Sequence, residues 1–146
     1  MEAYGSGTPE VLSPDDMESS RVLTPQRRKL LEEYPLYSQD GKKGDGVALF
    51  RLFLTGTPTT FYIMEGEPCG EYGGRENWDL YGVSNLGEAD GFRYGYFSLA
   101  ELEGLNLYDG LLHLEADAGF TPTPLRDIAE VSEALKSLWE TVNEQE

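Results

Sequence analysis

The chain has 146 residues, enough for one domain that buries about 70% of its unfolded surface without covalent staples. Its 27 acids against 11 bases give a formal net charge of −16. That charge repels phosphate backbones and anionic lipid alike, since affinity for both comes from Lys and Arg, and so argues against direct nucleic-acid or membrane-surface binding. A single cysteine, Cys69, rules out an intramolecular disulfide framework, and no run of about 18 apolar residues offers a membrane span. The opening Met1-Glu2-Ala3-Tyr4-Gly5 lacks the basic and apolar regions of a signal peptide, and the expected location is cytoplasmic.

Residues 1–24, rich in Ser, Pro, Gly and acids, read as an arm, with a short helix over about 14–20 opened by Ser13-Pro14-Asp15-Asp16. A single domain is expected over 25–146. Thr24-Pro25 caps a helix that runs through Glu33 and stops before Pro35. Its Arg27-Arg28-Lys29 opposes the helix dipole, which prefers negative charge at that end. Beyond a polar loop over 38–46, Val47 to Thr55 is apolar on both faces, as a central strand should be. Gly56-Thr57-Pro58 turns the chain into a hairpin partner from Thr60 to Glu65. A Gly-rich loop is expected over 66–76, then a strand from Trp78 to Val83, a turn from Asn85 to Gly91 and a strand from Phe92 to Phe97.

Ser98 is a good N-cap, Glu101 stands at N3 to complete a capping box, and Phe97 and Leu102 can close a hydrophobic staple. Leu111 to Ala116 makes a fifth strand or an edge. Thr123-Pro124 caps the last helix, on which Ile128, Val131, Leu135, Leu138 and Val142 form one apolar stripe with Trp139 flanking it. The fold class is therefore α+β: an antiparallel sheet of about five strands packed by N-terminal and C-terminal helices.

Chemistry-bearing signatures are scarce. One Cys and one His cannot build a soft-ligand zinc site, and no metal, cofactor or catalytic residue is assigned. Cys69 and His113 stand 44 positions apart, a pairing that coincidence explains better than a nucleophile and its base. The Gly-rich segment lacks a phosphate-cradling pattern. Arg51 is the only charge within its apolar strand, and a lone buried guanidinium is costly unless paired. A hairpin turning at 56–58 predicts Glu65 as its partner, either to pin the hairpin or to build a binding site. Glu65, Trp78, Asp79 and Tyr81 could also surround a cleft.

Three blocks in order resemble a bacterial and phage family known as domain of unknown function 2958. They are Leu36-Tyr37-Ser38-Gln39 leading to Leu49-Phe50-Arg51-Leu52-Phe53; then Thr60-Phe61-Tyr62-Ile63-Met64-Glu65; then Gly95-Tyr96-Phe97-Ser98-Leu99-Ala100-Glu101-Leu102 with His113-Leu114 and Phe120 to Leu125. The likeness covers about residues 28–128. It departs from the family in the arm, in the long last helix and in Phe61, where Trp is usual. The resemblance implies a cation at Arg51 and a Glu at Glu65, and no activity or cofactor. It implies a setting among plasmids, integrative elements and phages, near DNA-processing or anti-restriction genes.

The acidity itself has two readings. One is solubility or adaptation to a salty cytoplasm; the other is a surface that imitates nucleic acid and fills the basic groove of a DNA- or RNA-handling protein. The leading expectation is a non-enzymatic interaction protein whose acidic body docks on a basic protein surface. The acids off the last helix's stripe, Asp127, Glu130, Glu133, Glu140 and Glu144, are the candidate partner-binding residues. The alternative is a small enzyme or ligand-binding domain using the carboxylates and aromatics of the cleft. A third reading is a homodimer formed through the stripe, and the sequence leaves oligomeric state open.

Overall fold

The computed structural model describes residues 22–145 except residues 73, 88–90 and 108. Helix α1 (Pro25–Glu32) opens as expected, with the Thr24 hydroxyl accepting the Arg27 amide at 3.4 Å and Pro25 in the first turn. The strands follow as β1 (Val47–Ala48), β2 (Phe50–Leu54), β3 (Thr60–Tyr72), β4 (Arg75–Asn85) and β5 (Arg93–Ser98). Helix α2 (Leu99–Glu103), β6 (Asn106–Leu107), β7 (Leu112–Ala116), β8 (Thr123–Pro124) and helix α3 (Ala129–Gln145) complete the chain. The main sheet is antiparallel in the order β5-β4-β3-β2-β7-β6, and β1 pairs separately with β8. The α+β architecture is as the sequence predicts, with α1 and α2 on one face of the sheet and α3 on the other.

Strand alternation divides the core between those faces. Phe50, Leu52 and Leu54 of β2, Phe61 and Ile63 of β3, and Trp78 and Leu80 of β4 bury against Leu31 of α1 and Leu99 and Leu102 of α2. Tyr62, Met64 and Val83 point the other way and bury against Val131, Leu135 and Trp139 of α3. The start of α2 carries both capping-box bonds, and the Asn77 side-chain carbonyl accepts the Ala100 amide as a second cap.

Several boundaries differ from the sequence reading. The expected loop over 66–76 is instead the outer half of a long hairpin, because Tyr72 and Arg75 pair across a two-residue connection containing Gly74 at φ +82°. The expected single strand from Val47 to Thr55 breaks at Leu49, so that Val47 and Ala48 pair with Pro124 and Thr123 while β2 pairs with β3 and β7. Thr123-Pro124 is thus a strand and not a helix cap, and the Thr123 hydroxyl donates to the Thr121 carbonyl. A 3-10 turn over Leu125–Asp127 separates it from α3. On α3 the buried line is Val131, Leu135 and Trp139, while Leu138 is 46% exposed. The indole can turn inward because its N–H donates to the Tyr94 hydroxyl at 2.8 Å. The domain also begins before residue 25, since Val22 and Leu23 lie in the core. The helix expected over 14–20 lies outside the described residues.

Candidate functional site

The predicted Arg51–Glu65 pair is not formed. The β2–β3 turn uses four residues, Thr55 to Pro58, rather than three, because Leu54 and Thr59 already pair (3.1 Å). This shifts the register by one and sets Arg51 opposite Tyr62. Arg51 instead meets Asp117 at 3.2 Å, just beyond β7, with its guanidinium 5.0 Å from the Phe53 ring centre. A bulge at Met64 then redirects Glu65, which is 1% exposed. Its two oxygens accept the backbone amides of Tyr37 (2.7 Å) and Gln39 (2.8 Å). Gln39 in turn bonds the carbonyls of Val47 and Met64 and the amide of Val47. Glu65 is therefore a buried clamp on the 37–39 segment, and its carboxylate oxygens are not open to direct contact with a ligand.

Trp78, Asp79 and Tyr81 do not line one cleft, because consecutive strand residues face opposite ways. Trp78 lines a groove of about 500 Å3 beside α1, with Arg28, Leu31, Pro35, Pro68 and Glu76 around it. There Arg28 bridges to Glu76 at 3.0 Å, and the Trp78 indole donates to the same carboxylate. Asp79 and Tyr81 lie on the α3 side. Slight burial and the adjacent Asp79 carboxylate raise the Cys69 thiol above its ordinary pKa, the opposite of what a nucleophile needs. His113 sits on β7 between β2 and β6, bonded to the Gly110 carbonyl and to Glu115, far in sequence from that thiol. Among the described residues no group of three or more His, Cys, Asp or Glu side chains is placed to hold a metal ion.

Two features were not singled out from the sequence. The first is a set of two like-charged cross-strand pairs on the outer hairpin, Glu67 opposite Asp79 and Glu71 opposite Glu76. Directly opposed like charges destabilise a hairpin by about 0.2–1 kcal/mol each. Arg28 offsets the second pair, whereas Glu67 and Asp79 have no cation in ion-pair range among the described residues. All six residues from Glu67 to Tyr72 are exposed.

The second is a row of tyrosines. Tyr81 and Tyr96 face each other in register with ring centres 4.8 Å apart, and Tyr94 stacks on Tyr81 at 6.0 Å. Desolvation, and after it the nearby Tyr37, raises the Tyr96 hydroxyl above the ordinary tyrosine pKa. Burial, then the neighbouring phenols and the carboxylates of Glu65 and Asp40, push the Tyr81 hydroxyl up to about 12. The row borders a pocket of about 220 Å3 that Asp40, Lys43, Met64, Leu138 and Trp139 also line. Tyr94-x-Tyr96 on a strand announces two rings on one face, but that Tyr81 lies opposite them needs the register of β4 and β5.

The predicted acids of the last helix are placed on its outer side or just before it. Asp127, Glu133 and Glu140 are exposed, with Lys136 4.0 Å from Glu133. Glu130 is engaged within the molecule, accepting the Tyr62 hydroxyl at 2.5 Å. The Glu144 side chain lies outside the described part. No protein-family model, curated protein or solved structure matches the chain.

Proposed function

We propose that this is a non-enzymatic, acidic interaction protein whose outer β3–β4 hairpin and neighbouring acids dock on a basic protein surface. The single observation that supports this most is the Glu67–Asp79 pair, which has no cation in ion-pair range among the described residues. The fold gains nothing from two carboxylates held across a ladder, while a partner's Lys or Arg between them would relieve the repulsion and add attraction. The net charge of −16 gives the same partner a long-range pull. In its sharper form the basic surface is the nucleic-acid groove of a DNA-processing or defence enzyme, the setting that the resemblance to the mobile-element family implies. The test is capture and inhibition of DNA-handling enzymes at several salt concentrations. Binding that weakens steeply with salt and is displaced by duplex DNA supports the reading. Absence of capture and inhibition across such enzymes overturns it.

One observation favours a second reading, a small ligand-binding domain. The groove over Trp78 is large enough for a metabolite-sized molecule and combines a guanidinium, a carboxylate and an indole. A small-molecule screen read by thermal shift tests it, with Trp78 fluorescence as the local reporter.

A further inference from the structure

We infer that the tyrosine row and the Glu67–Asp79 pair form one continuous track for an extended protein segment carrying basic side chains at alternate positions. This rests on the proposed docking on a basic protein and names the recognition element within it. Along β4, Asp79 and Tyr81 stand two residues apart on one face, opposite Glu67 and Tyr96 respectively. Glu67 lies on the β3 side of Asp79 and Tyr96 on the β5 side of Tyr81. The two positions are therefore offset by two residues along the strand, about 6.6–6.8 Å, and by one strand spacing, about 4.7–4.9 Å. The resulting diagonal of about 8 Å is one that the long side chains i and i+2 of an extended peptide can reach. One cation of such a peptide can lie over the Tyr81–Tyr96 rings while the next sits between Glu67 and Asp79.

The chemistry of each position suits a cation. Tyrosine faces attract Lys and Arg through the ring quadrupole, more strongly the more the cation is desolvated. Tyr96 is 58% exposed and Tyr37 62% exposed, so the outer end of the row is open to an incoming side chain. The carboxylates of Asp40 and Glu65 lie close enough to act on Tyr81 and Tyr96 alike, which deepens the negative field there. Lys43 lines the pocket beside Tyr81 and Tyr94, and the walls of that pocket do not include Tyr37 or Tyr96. That leaves the Tyr37–Tyr96 end for the partner. Rings in a row could also stack nucleobases, but the surrounding carboxylates would repel the phosphates that join them.

The experiment measures affinity of the full chain for a synthetic peptide with arginine at alternate positions. Controls are the same peptide with citrulline in place of arginine, and a single-stranded oligonucleotide. The wild-type chain should bind the arginine peptide and neither control. Tyr96→Leu, at an exposed position that leaves the fold intact, should weaken binding about tenfold, and Tyr96→Phe should stay within about twofold. Glu67→Gln with Asp79→Asn should weaken binding and flatten its salt dependence. If Tyr96→Leu binds like wild type while the acid variant loses affinity, the track is overturned and the acidic docking reading survives. Preference for the oligonucleotide overturns the track as well. No affinity of the wild-type chain for the arginine peptide or for any basic protein overturns both.

Discussion

Glu65 gives the sharpest test of how the fold is held, because its carboxylate is buried and serves two backbone amides at once. In Glu65→Ala both amides lose their acceptor. The Gln39 amide is buried and bears the full penalty of an unsatisfied donor, about 1–3 kcal/mol. The Tyr37 amide is only partly buried and can recruit water, so it adds about 0.5–1 kcal/mol. The expected loss is about 1.5–4 kcal/mol, a large share of the 5–15 kcal/mol typical of a domain. Glu65→Gln keeps one acceptor but points an amide donor at the other N–H, so about 1.5–2.5 kcal/mol is expected. With a urea slope near 2 kcal/mol per molar, Glu65→Ala should lower the unfolding midpoint by about 1–2 M. Glu65→Gln should fall between it and wild type. Hydrogen exchange should report the same change locally, with the Gln39 amide losing protection in both variants. A midpoint for Glu65→Ala within about 0.3 M of wild type would refute the reasoning, since an idle buried carboxylate would then be tolerated at no cost.

Gly82→Ala should prevent folding or cost more than about 4 kcal/mol, because a Cβ there would overlap the Tyr62 carbonyl oxygen. Gly95→Ala, its partner across the ladder, should shift the melting temperature little, because the nearest obstacle to that Cβ is the Phe97 ring at 3.9 Å. Arg51→Gln and Asp117→Asn should show coupling of about 0.3–1 kcal/mol in a double-mutant cycle, shrinking with salt, since both side chains are partly exposed. The same cycle between Arg51→Gln and Glu65→Gln should give none. Tyr81 ionises near its ordinary 10 in the unfolded chain and at about 12 when folded, so its contribution is intact below pH 10 and is lost as pH rises toward 12. A tyrosinate absorbance titration should therefore show a late-titrating tyrosine, and a single ordinary step for all nine would count against the buried row.

How legible these features were depended on whether they are local. The Ser98 capping box needs four consecutive residues, and both of its bonds are present. The Thr24 cap is of the same kind. Arg51 was rightly marked as needing a carboxylate, but which one depended on whether a turn holds three residues or four, and no local rule separates those cases at Thr55-Gly56-Thr57-Pro58. The glycines at 66, 70, 73 and 74 read as a loop because Gly is a weak strand former. In fact Gly66 sits in the ladder where a Cβ would come within 2.7 Å of Leu80, and its amide donates to the Tyr34 carbonyl. Trp139 and Leu138 exchanged places because the indole N–H had a partner, Tyr94, that is 45 positions distant in sequence. The tyrosine row and the opposed acids are both products of register, the quantity a single sequence specifies least.

The position of the opposed acids follows from where the fold can bear them. The base of the β3–β4 hairpin is fixed by Trp78, Leu80 and Gly66 against α1, whereas Glu67 to Tyr72 are exposed and belong to neither core cluster. Repulsion placed on that outer part strains the hairpin without opening the core. A free protein that holds Glu67 and Asp79 in this way lies higher in free energy than one whose acids are dispersed. A complex with a cation between them does not carry that excess. On the proposed docking reading, relief of that repulsion by a partner's cation adds to binding, so neutralising one member should stabilise the free hairpin while it weakens the complex. A purely solubilising role for the acids predicts no such opposition, because dispersed surface charge would serve solubility equally well.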